Sequence, residues 1–142
     1  MSQPILAGGC FCGAIRYPVE GTPAVSAVCH CRTRRKIASA TPLPFLTVPA
    51  ERFAFAAGTP IDFDSSEGVT RSFCGTCGSP LTYRNDKEPR LIDVMTCSLD
   101  DPETFPPTHY LWVSHKLNWE TLADGLLAFD MTRTESRNDD DG

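Results

Sequence analysis

No apolar run in this sequence approaches the roughly 20 residues that span a bilayer, and the first nine residues carry neither a basic stretch nor a long apolar one. Both absences argue against a membrane anchor or an export signal and set the expectation of a cytoplasmic protein with no membrane partner. Positive charge is scarce. Thirteen Lys and Arg stand against 18 Asp and Glu, a formal net charge of -5, whereas a protein that grips a nucleic-acid backbone needs a basic surface to displace counterions. Long uninterrupted helical windows are few, because 12 prolines and 10 glycines punctuate the chain. No internal repeat of fixed period is present.

What remains is a chain of 142 residues with 41% hydrophobic and 22% charged residues, ordinary for one globular domain with one core. Strands and turns should dominate, giving a mainly β, single-domain fold. Short strands are expected at Ala14 to Val19 and Val25 to Cys31, joined as a hairpin across Glu20-Gly21-Thr22-Pro23. A single helical turn is expected at Arg35 to Ala40. Further strands are expected at Leu43 to Val48, Phe53 to Ala57, Ile61 to Phe63, Leu81 to Tyr83, Leu91 to Cys97 and His109 to Ser114. The domain is read as residues 1–131. The acidic segment 132–142, with no apolar anchor near its end, reads as a disordered tail.

Seven cysteines is an odd number, and in a reducing compartment metal ligation explains them better than disulfides. Cys10-Phe11-Cys12 and Cys74-Gly75-Thr76-Cys77 are two short-spaced pairs flanked by glycines that let the backbone fold tightly round a small ion. Four thiolates from Cys10, Cys12, Cys74 and Cys77 suit zinc, which takes four sulfurs tetrahedrally at about 2.3 Å. A closed shell of this kind is structural rather than catalytic. Sixty-one residues separate Cys12 from Cys74, and closing that loop costs about 3.6 kcal/mol by the logarithmic length dependence. Apparent structural-zinc free energies of about 10 to 16 kcal/mol exceed it, so the metal clamps the N-terminal segment onto later strands.

Cys29-His30-Cys31 is another short-spaced pair. On an extended backbone the two thiols share a face and His30 points away, as a structural histidine or as a proton-transfer group or ligand. Two thiolates are too few for a tetrahedral site, and the position that would add a third ligand is Arg34, within the basic cluster Arg32, Arg34, Arg35 and Lys36. That cluster reads either as a solvated stretch or as an anion-binding patch.

Three cysteine blocks in this order, within Gly8-Gly9-Cys10-Phe11-Cys12-Gly13-Ala14-Ile15-Arg16-Tyr17, Cys29-His30-Cys31 and Phe73-Cys74-Gly75-Thr76-Cys77-Gly78-Ser79-Pro80-Leu81, followed by Ser98-Leu99-Asp100-Asp101-Pro102, resemble the glutathione-dependent formaldehyde-activating family, also called the centromere protein V family. The likeness runs from about residue 5 to 130, including Trp112 and the Lys116 to Trp119 segment. It implies a zinc-binding β-tent fold and a carbon-sulfur lyase acting on a thiol adduct such as S-hydroxymethylglutathione, with glutathione as the small-thiol partner. It also implies a second zinc held by a CHCxxC motif whose cysteines match Cys29, Cys31 and position 34. Arg34 departs from that motif, since a guanidinium stays protonated and has no lone pair for a metal.

Three outcomes stay open for this second site: it is empty, it borrows a ligand such as Cys97, or Arg34 turns the pocket toward a carboxylate such as those of glutathione. Cys29 and Cys31 are accordingly the candidate catalytic pair, Arg34 a candidate anion or glutathione contact, and the second zinc doubtful. The alternative is a non-catalytic, zinc-stabilised binding or interaction module that has lost the second metal. Cys97 reads as a buried small hydrophobe or a redox thiol. His109 and His115 are expected on one strand face, and Phe45, Phe53, Phe55, Phe63 and Phe73 in the core or, for some of them, at a pocket mouth as a stacking wall. Asp93, Asp100 and Asp101 suggest paired carboxylates, but the run Asp100-Asp101-Pro102 reads first as a turn.

Overall fold

The computed structural model describes residues 6–122 and 124–133. Ten strands run in chain order: β1 (Leu6–Gly9), β2 (Arg16–Val19), β3 (Val25–Cys29), β4 (Leu43–Pro49), β5 (Ile61–Ser66), β6 (Val69–Phe73), β7 (Pro80–Asn85), β8 (Leu91–Met95), β9 (His109–Leu111) and β10 (Leu127–Ala128), with one α-helix, α1 (Arg32–Ala38), between β3 and β4. β1 and β2 form a small antiparallel ribbon. The other eight strands form the main sheet in the order β10-β9-β3-β4-β8-β7-β6-β5, and pairing is antiparallel except where β9 runs parallel to β3 and to β10. The mainly β expectation holds, with one main sheet. The acidic residues 134–142 of the expected tail lie outside the described residues.

Strand alternation gives the main sheet two different faces. Leu46 and Val48 of β4 and Ile92 and Val94 of β8 point to one face and pack against Tyr17, Val19, Cys10 and Ile15 of the ribbon. Phe45 and Met95 point to the other, where they meet Ala27, Cys29, Cys31 and Trp112. On β7 the pairing skips a residue, Ser72 facing Thr82 and Phe73 facing Pro80. Leu81 is the unpaired residue of that bulge, which is how it joins the first cluster while Tyr83, two residues on, packs beside the second. The register also sets Thr47, Asp93, Tyr83 and Arg71 in one row across β4, β8, β7 and β6.

Several local expectations are corrected. The segments 16–19 and 25–29 do not pair with each other: β2 folds back on β1, and both edges of β3 are taken by β4 and β9. The turn signal at Glu20 to Pro23 thus carries the chain from the ribbon to the main sheet. The helix starts three residues earlier than expected, because the Cys31 sulfur caps it by accepting from the Arg34 amide at 3.4 Å. It ends at Ser39, which takes the left-handed conformation with φ 51°.

Phe53 to Ala57 is not a strand. It contributes one bridge, Arg16 to Ala57, while Phe53 and Phe55 stack on Tyr17 with ring centroids 5.3 and 6.3 Å away. β9 stops at Leu111, because Trp112 adopts φ 59° and a 3-10 turn follows at Val113–His115. His109 and His115 therefore do not share a strand face; the His115 ring lies 5.1 Å from that of Trp112. Of the five expected core phenylalanines, Phe45 is buried and Phe63 is exposed. β1, whose sequence is Leu-Ala-Gly-Gly, β6 and β10 lie outside the strands expected from the sequence.

Candidate metal centre and the second cysteine pair

The turn from β1 to β2 carries Cys10 and Cys12, and the turn from β6 to β7 carries Cys74 and Cys77. The two turns repeat each other's geometry. Each places a glycine directly after its second cysteine in the left-handed region, Gly13 and Gly78 both at φ 82°, a conformation that side chains resist. The ligand atoms of all four cysteines lie within 4.8 Å of one another. Cys10 and Cys12 sulfurs are 3.5 Å apart, and those of Cys12 and Cys74 are 3.8 Å apart. Four sulfurs bonded tetrahedrally at about 2.3 Å would sit roughly 3.8 Å from each other. The residues therefore fit a metal ion.

Backbone amides point at these sulfurs. Ile15 N–H donates to Cys10 at 3.3 Å, and the amides of Thr76 and Cys77 donate to Cys74 at 3.4 and 3.5 Å. Ser79 joins the two turns, its hydroxyl 3.3 Å from the Cys77 sulfur while accepting from Phe11 N–H at 3.0 Å. Such donors favour thiolates. The Ser79 hydroxyl, followed by the backbone donors, pulls Cys77 down to about 5. Burial opposes ionisation of Cys10, but the Ile15 amide and neighbouring sulfurs more than offset it, so this thiol is lowered. Cys12 has the Ala14 amide in its favour, yet the adjacent Cys10 pushes it up to about 11. Cys10 and Cys77 lowered while Cys12 between them is raised is a conflict that a divalent ion relieves by replacing protons.

The second pair is different. Cys29 ends β3, and Cys31 caps α1. Both are buried, and here too amides point at sulfur, Cys31 N–H to Cys29 and Arg34 N–H to Cys31, each at 3.4 Å. No third Cys, His, Asp or Glu among the described residues joins them in a ligand cluster. The Cys31 sulfur beside it and burial together push the Cys29 thiol well above its usual range. His30 is buried with both ring nitrogens unpartnered, its ring 5.5 Å from that of Tyr110. Cys97 is exposed, on the turn after β8, so it neither packs as a buried hydrophobe nor completes this site.

Arg34 belongs to no solvated stretch. Its side chain is 7% exposed, and its Nη2 donates to Asp93 Oδ2 at 2.6 Å, the Asp93 side chain being 12% exposed. Thr47 donates to the other Asp93 oxygen at 2.7 Å. The guanidinium lies over the rings of Phe45 at 4.1 Å and Tyr83 at 4.6 Å. Burial works against its charge, but Asp93 holds it above the ordinary value. Arg34 and Asp93 both line a cavity of about 570 Å³ that His109, Asn85, Glu88 and Arg133 also border. Asp93 was not singled out with Arg34 in the sequence: 58 residues separate them, and only the strand register brings Asp93 opposite Thr47.

A family model described as glutathione-dependent formaldehyde-activating enzyme matches residues 5–115. The chain belongs to that family. The match takes in all seven cysteines, both turns of the metal centre and the Arg34–Asp93 pair. A solved structure from Rhodobacter sphaeroides is similar to this family member at a TM-score of 0.56 and 22% identity, covering 74% of this chain and 99% of the other. It supports the fold alone. No helix among the described residues is long and apolar enough to cross a membrane.

Proposed function

We propose that this family member is a zinc-stabilised carbon-sulfur lyase-like protein acting on a thiol adduct such as S-hydroxymethylglutathione. The observation that carries the reading is the family match over residues 5–115, which includes the four-sulfur cluster. Zinc is the proposed ion, because a borderline-soft d¹⁰ cation suits four thiolates. It would hold the two turns together and supply no chemistry, since four sulfurs leave no open position. Seven free cysteines suit a reducing compartment such as the cytoplasm.

In the proposed reaction a thiol sulfur bonds to the carbonyl carbon of formaldehyde and the thiol proton passes to the carbonyl oxygen. The reverse reaction breaks the same carbon-sulfur bond. The cavity beside Arg34 lies within the range typical of small-molecule sites. In this reading it binds the adduct, with Arg34 and Arg133 on its wall facing carboxylates of a glutathione-type thiol, while Cys29 and Cys31 are the candidate reactive pair. The family's second zinc does not fit the residues present, and no step is assigned to it.

A second reading is a non-catalytic binding or interaction module stabilised by the zinc. The Arg34–Asp93 ion pair favours it, because it occupies the guanidinium internally and leaves Cys29 and Cys31 short of ligands. The two readings separate on one measurement. The lyase reading expects glutathione and formaldehyde to exchange with S-hydroxymethylglutathione faster than in a protein-free blank, followed by line broadening in nuclear magnetic resonance. A rate equal to the blank, from zinc-loaded folded protein, removes it and leaves the module.

A further inference from the structure

We infer that the Arg34–Asp93 ion pair replaces the second metal centre, so that this chain takes one metal ion per molecule and keeps Cys29 and Cys31 as thiols. This stands apart from both functional readings, because it concerns the number of ions and not turnover.

The two cysteine centres differ in one respect that decides the matter. Both present amide donors to sulfur, both lie at strand ends, and both bring two cysteines together from a short spacing. At the first, a second turn adds two more thiols. At the second, the position three residues after Cys31 is an arginine whose Nη2 is already paired with Asp93, leaving Nη1 buried without a hydrogen-bond partner. It runs back from α1 across Phe45 to the row of side chains on β4 and β8, where Asp93 takes its Nη2 and Thr47 saturates the other carboxylate oxygen.

A cation is thus already built into this face of the sheet, supplied by the chain itself. A metal ion there would find two sulfurs, no further ligand and a permanent positive charge close by. Arg71 adds another: it lies over the far side of the row with its guanidinium 4.9 Å from the Tyr83 ring, and burial and then the charge of Arg34 work against its ionisation. Two arginines thus stand near this pair where a metal site needs further anionic ligands, and the carboxylate among them is already paired. Asp93 itself is not a spare ligand, since both of its oxygens are engaged within the row.

The inference is tested by counting metal. Protein refolded with excess zinc and passed through a desalting column should hold one zinc by elemental analysis; two would overturn it. Cys29→Ser with Cys31→Ser should leave the count at one, and a fall below one would overturn it as well. Arg34→Cys combined with Asp93→Asn removes the cation, avoids stranding the carboxylate and adds a third thiol. This variant should rise to two ions, and with cobalt its sulfur-to-metal charge-transfer absorption should grow by about three-quarters, from four thiolates to seven. A folded variant that still holds one ion would show that Arg34 is not what excludes the metal. If that variant fails to fold, the serine pair and the wild-type count still decide. An inactive chain holding one ion would sink the lyase reading and leave this inference standing, whereas an active chain holding two would do the reverse.

Discussion

The four-cysteine centre and the Cys29–Cys31–Arg34 centre are built from similar local parts and arrive at opposite electrostatics. Each has sulfurs at the end of a strand that accept from backbone amides. The first gathers four anion-forming groups from two turns far apart in sequence and so suits a cation. The second gathers two thiols and an arginine, and meets its charge requirement with Asp93. Local cysteine spacing therefore does not by itself make a metal site; the third and fourth groups decide, and they come from the fold.

The sharpest way to break this comparison is to remove a ligand from the first centre. Cys74→Ser or Cys77→Ser should release the ion and unfold the domain, since structural zinc contributes on the order of 10 kcal/mol, comparable to the total stability of a domain. Elemental analysis with circular dichroism checks it; a folded serine variant with one zinc would contradict the assignment. The second centre should fail by a different route. Asp93→Ala leaves Arg34 buried and unpaired and should cost about 3 to 5 kcal/mol in a urea titration, whereas Arg34→Met with Asp93→Leu should come close to wild type or exceed it. Equal losses in the single and double variants would mean that the pair is not what matters. Thr47→Val strips one donor from Asp93 and should cost about 1 to 3 kcal/mol.

Acid should also separate the centres. His30 is buried beside the second pair, and burial holds its folded pKa below the ordinary value of 6.5. The unfolded chain therefore binds a proton that the folded one resists. Its contribution is fully present above about pH 6.5 and is lost as the pH falls below that. His30→Asn should give a shallower decline of urea midpoint between pH 7 and 5.5 than wild type, and identical slopes would rule this out. The smallest effect belongs to the surface. Arg16 pairs with Asp100, both substantially exposed, and Arg16→Ala should change stability by no more than about 1 kcal/mol.

The first centre was legible in the sequence because two short cysteine spacings and their glycines are local signals. The mainly β class was legible for the same reason, from turn residues and apolar runs. The partner of Arg34 was not. Asp93 looks in the sequence like any acidic residue in a strand, and only the pairing of β4 with β8 sets it opposite Thr47 and beneath the helix. Strand partners were likewise hidden: the turn at Gly21 resembles a hairpin, yet β3 is claimed by β4 and β9, which lie later in the chain. The early start of α1 went unseen because a cysteine sulfur caps it, where serine, threonine, aspartate or asparagine is the usual signal. Trp112 ended β9 against expectation, since a left-handed tryptophan leaves no trace in hydropathy.

The division of the four-sulfur cluster between two distant turns has a consequence in time. Cys10 and Cys12 leave the ribosome well before Cys77, and at about 5 to 20 residues per second the interval is roughly 3 to 13 s. Throughout that interval the nascent chain presents a half-site of two thiols that cannot close on an ion by itself. Completion of the clamp therefore waits until β6 and the turn after it have been made, so the ribbon formed by the first two strands, though made first, is not locked in place before more than half of the chain exists.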